Sequence, residues 1–352
     1  MKTWLKTALI SGVLCCAVGA VLTAAGMLTG GKQYVQSADI NTLRGDARKA
    51  DSDSLAVLDK QKISNVQALD LALDTLDLKI VPSDDDCCYL SYRIAATGGE
   101  APLTYTVQDG TLHLKENDAV QPQVHIDVDF LTDFLTLGRL PEDDDTQTVI
   151  LSVPKSQLKQ LRIRVSYGDI SMRGIAAARG SIRCDNGDIS LNNCQLSQLT
   201  LNNDYGDISM RGISAARGSI RCENGDISLK NCRLSQLTLN NDYGDIDLER
   251  CTLDTAAVQL SNGGFDAQET AFSGENSITS SYGDVSVSDT LANLQALTIQ
   301  ASTAYGEISV PDGLRAQIRQ TTDDELTDYC HSGTGGSLRV QADNGDIELS
   351  DD

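Results

Sequence analysis

The chain has 352 residues and a formal net charge of −22. So acidic a protein repels nucleic-acid phosphates and anionic lipid surfaces, which argues against nucleic acid as a partner. Aromatic residues make up only 4% of the sequence. The composition therefore predicts a core of small aliphatic side chains.

The N-terminal segment predicts one membrane span. Residues 7–31 carry no charge, are rich in Leu, Val and Ala, and follow Lys2 and Lys6. This run is long enough to cross a bilayer, and the preceding lysines predict an inside N-terminus with the bulk of the chain outside. The alternative is a signal peptide cleaved after Ala20 or Ala24. We favour an uncleaved transmembrane helix because the apolar run is longer than a usual signal core.

Residues 1–31 are predicted to form a cytoplasmic tip and the transmembrane anchor. Residues 32–62 are predicted to be a polar linker, and residues 63–352 a β-solenoid domain. Alternating residues at 68–81 predict the first turn of this domain, and 105–115 predicts a hairpin around Asp109-Gly110. Residues 124–145 break the pattern and predict an acidic insertion. Strands predicted at 149–153 and 158–165 lead into the repeats.

A 38-residue unit occurs twice in tandem, at 167–204 and 205–242, with four differences. Each unit holds two similar halves marked by a glycine, usually followed by an acid and a β-branched residue. These marker glycines lie 19 residues apart and then recur at looser spacing: Gly168, Gly187, Gly206, Gly225, Gly244, Gly263, Gly283, Gly306 and Gly345. A fixed period near 20 predicts a solenoid.

The repeat has the two-residue alternation of strands, and Asn-Gly and Tyr-Gly supply the turns between them. We therefore predict an all-β parallel β-solenoid of the right-handed β-helix type, with regular rungs of about 19 residues over 165–310, where a rung is one turn of the solenoid. Its inward ladder is predicted to be Ile170, Ile189, Ile208, Ile227, Ile246, Phe265, Val285 and Ile308. Ordering one rung costs about 20–40 kcal/mol of backbone entropy, whereas burying five apolar side chains returns roughly 8–15 kcal/mol. Rungs must therefore stack to be stable.

The acids after the marker glycines form a column of candidate cation-binding residues: Asp169, Asp188, Asp207, Asp226 and Asp245. Calcium could bridge neighbouring carboxylates. The alternative is that each carboxylate accepts hydrogen bonds from turn N–H groups and stays solvated.

Tyrosines stand before five of the marker glycines, mostly alternating with asparagine, and are candidate carbohydrate-binding residues: Tyr167, Tyr205, Tyr243, Tyr282 and Tyr305. Rings two rungs apart along one edge could stack on the sugar faces of a wall polymer. The alternative is that the rings cover a corner of the core.

Cysteine and histidine positions give no catalytic or metal site. Cys184 and Cys222 are predicted to share one slot two rungs apart, alternating with Asn203 and Asn241, which is too far for a disulfide and predicts buried thiols. No spacing matches zinc, no cofactor is predicted, and no histidine has a plausible nucleophile beside it. We therefore do not predict an enzyme, although β-helices do host polysaccharide lyases and hydrolases.

The single span, the strands DGTLHL (109–114) and VILSVP (149–154) and the Tyr-Gly-Asp-Ile rungs together resemble the bacterial putative-adhesin, LiaG-like family of β-strand-repeat envelope proteins. That resemblance implies a β-repeat fold and surface attachment, and brings no catalytic residues. The predicted function is a membrane-anchored extracytoplasmic module that binds a cell-wall or surface glycan or an envelope protein. The alternatives are a β-helix enzyme acting on polysaccharide and an accessory or sensor protein of an envelope-stress response.

Overall fold

The computed structural model describes residues 55–85, 87–96, 101–120, 147–317 and 327–351. The predicted span at 7–31 and the predicted acidic insertion at 124–145 lie outside these ranges. Within them, no helix is both long and apolar enough to cross a membrane.

The described chain is almost entirely β-structure, arranged as two large sheets of mostly parallel strands. The thirteen-stranded sheet consists of β1 (Leu55–Ile63), β3 (Asp77–Pro82), β4 (Cys88–Ala95), β7 (Thr148–Val153), β9 (Ile170–Arg173), β11 (Ile189–Asn192), β13 (Ile208–Arg211), β15 (Ile227–Lys230), β17 (Ile246–Glu249), β19 (Phe265–Gln268), β22 (Val285–Asp289), β24 (Ile308–Ser309) and β27 (Ile347–Asp351).

The fourteen-stranded sheet includes the eleven-residue strands of the regular rungs. Its strands are β2 (Ala68–Leu73), β5 (Leu103–Gln108), β6 (Thr111–Glu116), β8 (Gln160–Tyr167), β10 (Ala176–Asn186), β12 (Gln195–Tyr205), β14 (Ser214–Asn224), β16 (Arg233–Tyr243), β18 (Thr252–Asn262), β21 (Glu275–Tyr282), β23 (Thr298–Tyr305), β25 (Asp328–His331) and β26 (Ser337–Asn344) with β20 (Ala271–Ser273) paired to β18. A short helix α1 (Leu291–Ala296) and a 3₁₀ helix (Asp312–Gln317) complete the described elements.

Each regular rung contributes one eleven-residue strand to one sheet and one four-residue strand to the other. The parallel register repeats every 19 residues, so that Ile189 pairs with Ile170 on one side and Ile208 on the other. Alternate residues of both strand types are buried, and these side chains form one continuous core. The predicted parallel solenoid and its 19-residue period are confirmed.

The turn from the long strand to the short strand depends on the marker glycine. These residues have φ between about +117° and +157° at all positions from Gly168 to Gly283 and at Gly345, a region that L side chains rarely adopt. A Cβ on Gly187 or Gly206 would also lie well inside van der Waals contact with the carbonyl oxygen of the preceding marker glycine. The rungs therefore stack closely at this turn only because glycine occupies it.

The N-terminal rungs are stacked out of chain order. The rung of β2 and β3 lies between β8–β9 on one side and β6–β7 on the other. Residues 68–81 thus form a rung, as predicted, but not the first in the stack. The predicted hairpin is confirmed as antiparallel β5 and β6, with positive φ at both Asp109 and Gly110.

The C-terminal rung is also inserted out of order. Strands β26 and β27 lie between β21–β22 and β23–β24, all in parallel register. The inward ladder predicted from sequence therefore needs a correction, because Val285 pairs with Ile347 and Ile347 pairs with Ile308. In chain order the rung of β23 and β24 comes before that of β26 and β27. In the stack, β26 and β27 lie between the rung of β21 and β22 and the rung of β23 and β24.

Antiparallel strands lie at both ends of the fourteen-stranded sheet and at one end of the thirteen-stranded sheet. Strand β4 pairs with β7, β5 with β6, and β25 with β23. Strand β1 lies beyond β4 and occupies 55–63, so the last part of the predicted polar linker is a strand. Such antiparallel strands end the parallel ladder and limit its extension by another chain.

Removal of one 38-residue unit is expected to leave a folded, shorter solenoid. Deleting residues 167–204 joins Ser166 to Tyr205 and preserves every register, so the loss is about two nearest-neighbour interfaces. Deleting only residues 186–204 places Cys184 beside Cys222 and removes the amide of Asn203 between them, so we expect a larger loss of stability per residue removed. Circular dichroism with thermal melting measures both. An unfolded 38-residue deletion would contradict the stacked-rung description.

Candidate functional site

The five predicted tyrosines lie in one line along the edge where the long strands end. In-register pairing runs without interruption through nine positions, which we call the Tyr–Asn column. Its members in spatial order are Tyr167, Asn186, Tyr205, Asn224, Tyr243, Asn262, Tyr282, Asn344 and Tyr305. Tyrosine and asparagine alternate strictly.

The tyrosine rings of this column are exposed. Between 56% and 60% of each of the first four is accessible, and 78% of Tyr305. Their phenol oxygens make no hydrogen bond with any described residue. More than half of each of these tyrosines is therefore accessible to solvent.

The asparagines between the rings are partly buried and oriented by the backbone. Asn224 Nδ2 donates to the carbonyl oxygen of Asp204 at 3.3 Å, and Asn262 Nδ2 to that of Asp242 at 3.3 Å. Asn344 Nδ2 donates in the same way to Ser281 at 3.2 Å. Each of these amides thus keeps its Oδ1 without a partner among the described residues.

The predicted acid column lies one residue beyond the marker glycines, and its members are exposed. Each carboxylate accepts the backbone N–H of the equivalent residue in the next rung: Asp169 Oδ1 from Asp188, Asp188 Oδ1 from Asp207, and onward to Asp245, at 2.8–2.9 Å. The carboxylates therefore extend the interstrand hydrogen bonding through the turn. This matches the alternative interpretation, in which they accept turn N–H groups.

This hydrogen-bonded column is longer than the sequence pattern indicated and has one break. It begins at Asp77, whose Oδ1 accepts from Asp169 N–H at 2.8 Å. It stops at Gly264, which donates to Asp245 but offers no carboxylate to the next rung. It resumes through Asp284, Asp346 and Glu307. The described residues contain no group of three or more His, Cys, Asp or Glu side chains placed to hold a metal ion.

Comparison with known proteins places this architecture in a family. Residues 66–350 match Toastrack, DUF4097. The chain belongs to the Toastrack family. The resemblance predicted from sequence, to a family of β-strand-repeat proteins without an assigned activity, is consistent with this assignment.

Two solved structures are similar to the Toastrack chain at low identity. One is a "putative adhesin" from Bacteroides fragilis NCTC 9343, with 12% identity, a TM-score of 0.35, and coverage of 85% of this chain and 98% of that chain. The other is a "putative cell adhesion protein" from Clostridium sporogenes ATCC 15579, with 10% identity, a TM-score of 0.19, and coverage of 85% and 99%. No curated protein matches the chain.

Behind the Tyr–Asn column, an inner slot of alternating cysteine and asparagine supports the turns. Cys184 Sγ donates to the carbonyl oxygens of Gly168 and Gly187 at 3.4 and 3.6 Å, and Asn203 Nδ2 donates to those of Gly187 and Gly206. Each slot side chain thus links the glycine of its own rung to that of the rung before it. The predicted alternation of Cys184, Asn203, Cys222 and Asn241 in one slot is confirmed.

The cysteines of this slot are buried free thiols, as predicted. Burial raises the pKa of Cys184 to about 12 and that of Cys222 to about 11. Both thiols are therefore protonated at neutral pH, the form that donates to the glycine carbonyls and that reacts slowly with electrophiles.

One polar cluster breaks the repeat. His113 on β6 lies 3.2 Å from the carboxylate of Asp70 on β2, which also accepts from Arg164 on β8 at 3.1 Å. All three are at least partly exposed. The arrangement links side chains of three neighbouring strands, with an ion pair between Asp70 and Arg164.

The acid column yields a prediction about stability. Replacing Asp207 with Ala removes the acceptor for Asp226 N–H, and water replaces it only in part, so we expect a loss of about 0.5–1 kcal/mol. Asp207→Asn retains an Oδ1 acceptor and removes charge repulsion with Asp188 and Asp226, so its melting temperature should equal or exceed that of the wild type. Thermal melting of the purified variants measures the difference.

The same experiment distinguishes this role from cation binding. If Asp207→Asn were as destabilising as Asp207→Ala, the hydrogen-bonding role would be wrong. A rise of several degrees with millimolar calcium, lost in both variants, would instead support a bridging cation.

Proposed function

We propose that this Toastrack chain is an interaction module of the cell envelope that binds an extended polymer along the Tyr–Asn column. The observation that carries the proposal is the exposure of five tyrosine rings in one line, at 56–78% each. Large apolar rings left in solvent at regular positions contribute little to folding, and such patches commonly mark binding surfaces.

The shape of the column suits a long ligand better than a small one. The rings follow the stacking direction of the rungs, and the column crosses nine strands. A polymer lying along this line would contact several rings at once, so that weak single contacts add up to useful affinity. A small molecule would contact only one ring and the polar groups beside it.

The charges beside the column favour a neutral ligand. Exposed carboxylates of the acid column run parallel to the rings, one residue after each marker glycine except Gly263, and the whole chain carries a net charge of −22. A polyanion would meet repulsion along its full length. Hydroxyl groups of an uncharged glycan can instead donate hydrogen bonds to these carboxylates.

We further propose that the chain is held at the membrane by the uncharged segment 7–31, with the β domain outside the cytoplasm. The lysines before this segment and its length support the orientation. Protease added to intact cells is expected to remove most of the chain and leave a short membrane-bound fragment. Complete protection of the chain would contradict the orientation, and a mature N-terminus near Val21 would contradict the anchor.

Loss of tyrosine rings is expected to weaken glycan binding without unfolding the protein. In a panel of soluble wall and surface glycans, Tyr205→Ser combined with Tyr243→Ser should lower the affinity for the bound glycan by about tenfold or more. The double Tyr→Phe variant keeps both rings and should bind nearly as well. Tyr105→Ser, at an exposed position outside the column, is the matched control.

Retention of the glycan without turnover is the expected result for an interaction module. Release of shortened products would favour the alternative, a β-helix enzyme acting on polysaccharide. Absence of binding to every glycan in the panel would contradict the proposed function.

A further inference from the structure

The spacing of the tyrosine rings in the Tyr–Asn column restricts the ligands that could contact several rings at once. A tyrosine occupies every second position, so neighbouring rings are two rungs apart, roughly 9.6 Å along the stack. The intervening rung always presents the smaller, polar asparagine. A ligand lying on this column thus meets an aromatic face and an amide in strict alternation.

This alternation is not a by-product of the tandem duplication. The duplicated segment 167–242 supplies only Tyr167, Asn186, Tyr205 and Asn224. Tyr243 ends a strand that differs from the strand of Tyr205 at one position, so the duplication also accounts for it. The other four members, Asn262, Tyr282, Asn344 and Tyr305, lie in rungs whose sequences differ from the repeat. At the C-terminal end, Tyr282 and Tyr305 belong to consecutive rungs of the chain and would become neighbours if the rungs were stacked in chain order.

The C-terminal rung of β26 and β27 lies between these two rungs and prevents that contact. Asn344 pairs with Tyr282 on one side and Tyr305 on the other, so the two-rung spacing of the rings is preserved. Three separate parts of the sequence therefore maintain one spacing, which is what a ligand with a fixed repeat would require.

We propose that the Tyr–Asn column binds a neutral β-1,4-linked polysaccharide, with one tyrosine for every two sugars. In such a chain each pyranose ring is turned over relative to the one before it, so the same ring face recurs at every second sugar, at a repeat close to the spacing of the tyrosines. The chain is extended and nearly flat, which suits a straight line of rings. This inference rests on the proposed function and names its ligand class.

The polar groups between the rings fit the intervening sugars. Asn224 and Asn262 are fixed by their Nδ2 donors, and their Oδ1 atoms are free to accept from sugar hydroxyls. The exposed Oδ2 side of the acid column can accept further hydroxyls, and the same carboxylates disfavour acidic polysaccharides. Ring stacking and amide contacts therefore alternate with the same period as the ligand.

Oligosaccharides of defined length and linkage test the ligand class. Affinity of the full chain for β-1,4-linked glucose and N-acetylglucosamine oligomers is measured by calorimetry as the oligomer grows. We expect the affinity to rise stepwise, with a gain for every two sugars added, because each gain brings one more tyrosine into contact. α-1,4-linked glucose oligomers of equal length, which coil, should bind at least about tenfold more weakly.

A variant with the same composition tests the spacing. Tyr205→Asn combined with Asn224→Tyr keeps five tyrosines and four asparagines but moves one ring by a single rung. We expect about a 10- to 100-fold loss of affinity for long β-1,4 oligomers. Circular dichroism and melting verify the fold, and Tyr205→Phe with Asn224→Gln is the control that conserves the spacing.

The outcomes separate this inference from the proposed function. Binding of a glycan that depends on the tyrosines, but is unaffected by the exchange or equal for α-linked oligomers, would overturn the two-sugar period while leaving the interaction module intact. Failure of all neutral glycans to bind would overturn both.

Discussion

The close approach of glycine to glycine at one turn of every rung is the constraint on which the rest of the fold depends. At this turn the backbone of each rung lies directly against the carbonyl group of the rung before it, and any Cβ would collide with that oxygen. A glycine therefore has to occupy this turn in each rung, whether the spacing is 19 residues, as from Gly168 to Gly263, or 20, as from Gly263 to Gly283.

Several other features follow from this contact. Because the turns superpose, the residues on either side of the glycine superpose as well, and each sequence position becomes a column. Residues three positions before the glycine point inward and donate to the glycine carbonyls, as Cys184 and Asn203 do. Residues immediately before and after it point outward and form the Tyr–Asn and acid columns. One backbone constraint thus supports a buried hydrogen-bonded slot and an exposed line of rings.

Much of this fold could be predicted from the sequence, because the glycine spacing and the alternation of apolar residues are regular. The spacing of the glycines gave the period, and the alternation of apolar residues identified the inward ladder from Ile170 to Val285. The order of the end rungs could not be predicted in this way. Asn344-Gly345-Asp346-Ile347 has the same local pattern as the internal rungs, and nothing within it specifies which two rungs it will pair with. Long-range pairing decides that, and here the alternation of tyrosine with asparagine was the available signal, since Tyr282 followed by Tyr305 breaks it.

The exposure of the tyrosines also could not be predicted from the sequence pattern alone. A residue at the end of a strand can turn toward the core or away from it, and both arrangements satisfy a two-residue alternation. In the structure the buried slot residues at 184, 203, 222 and 241 donate hydrogen bonds to the glycine carbonyls at this turn. The tyrosines beside the same glycines are exposed. Because a 38-residue unit contains one slot cysteine, one slot asparagine, one tyrosine and one outer asparagine, the chain can lengthen in the middle by whole units and extend its exposed column without altering either end.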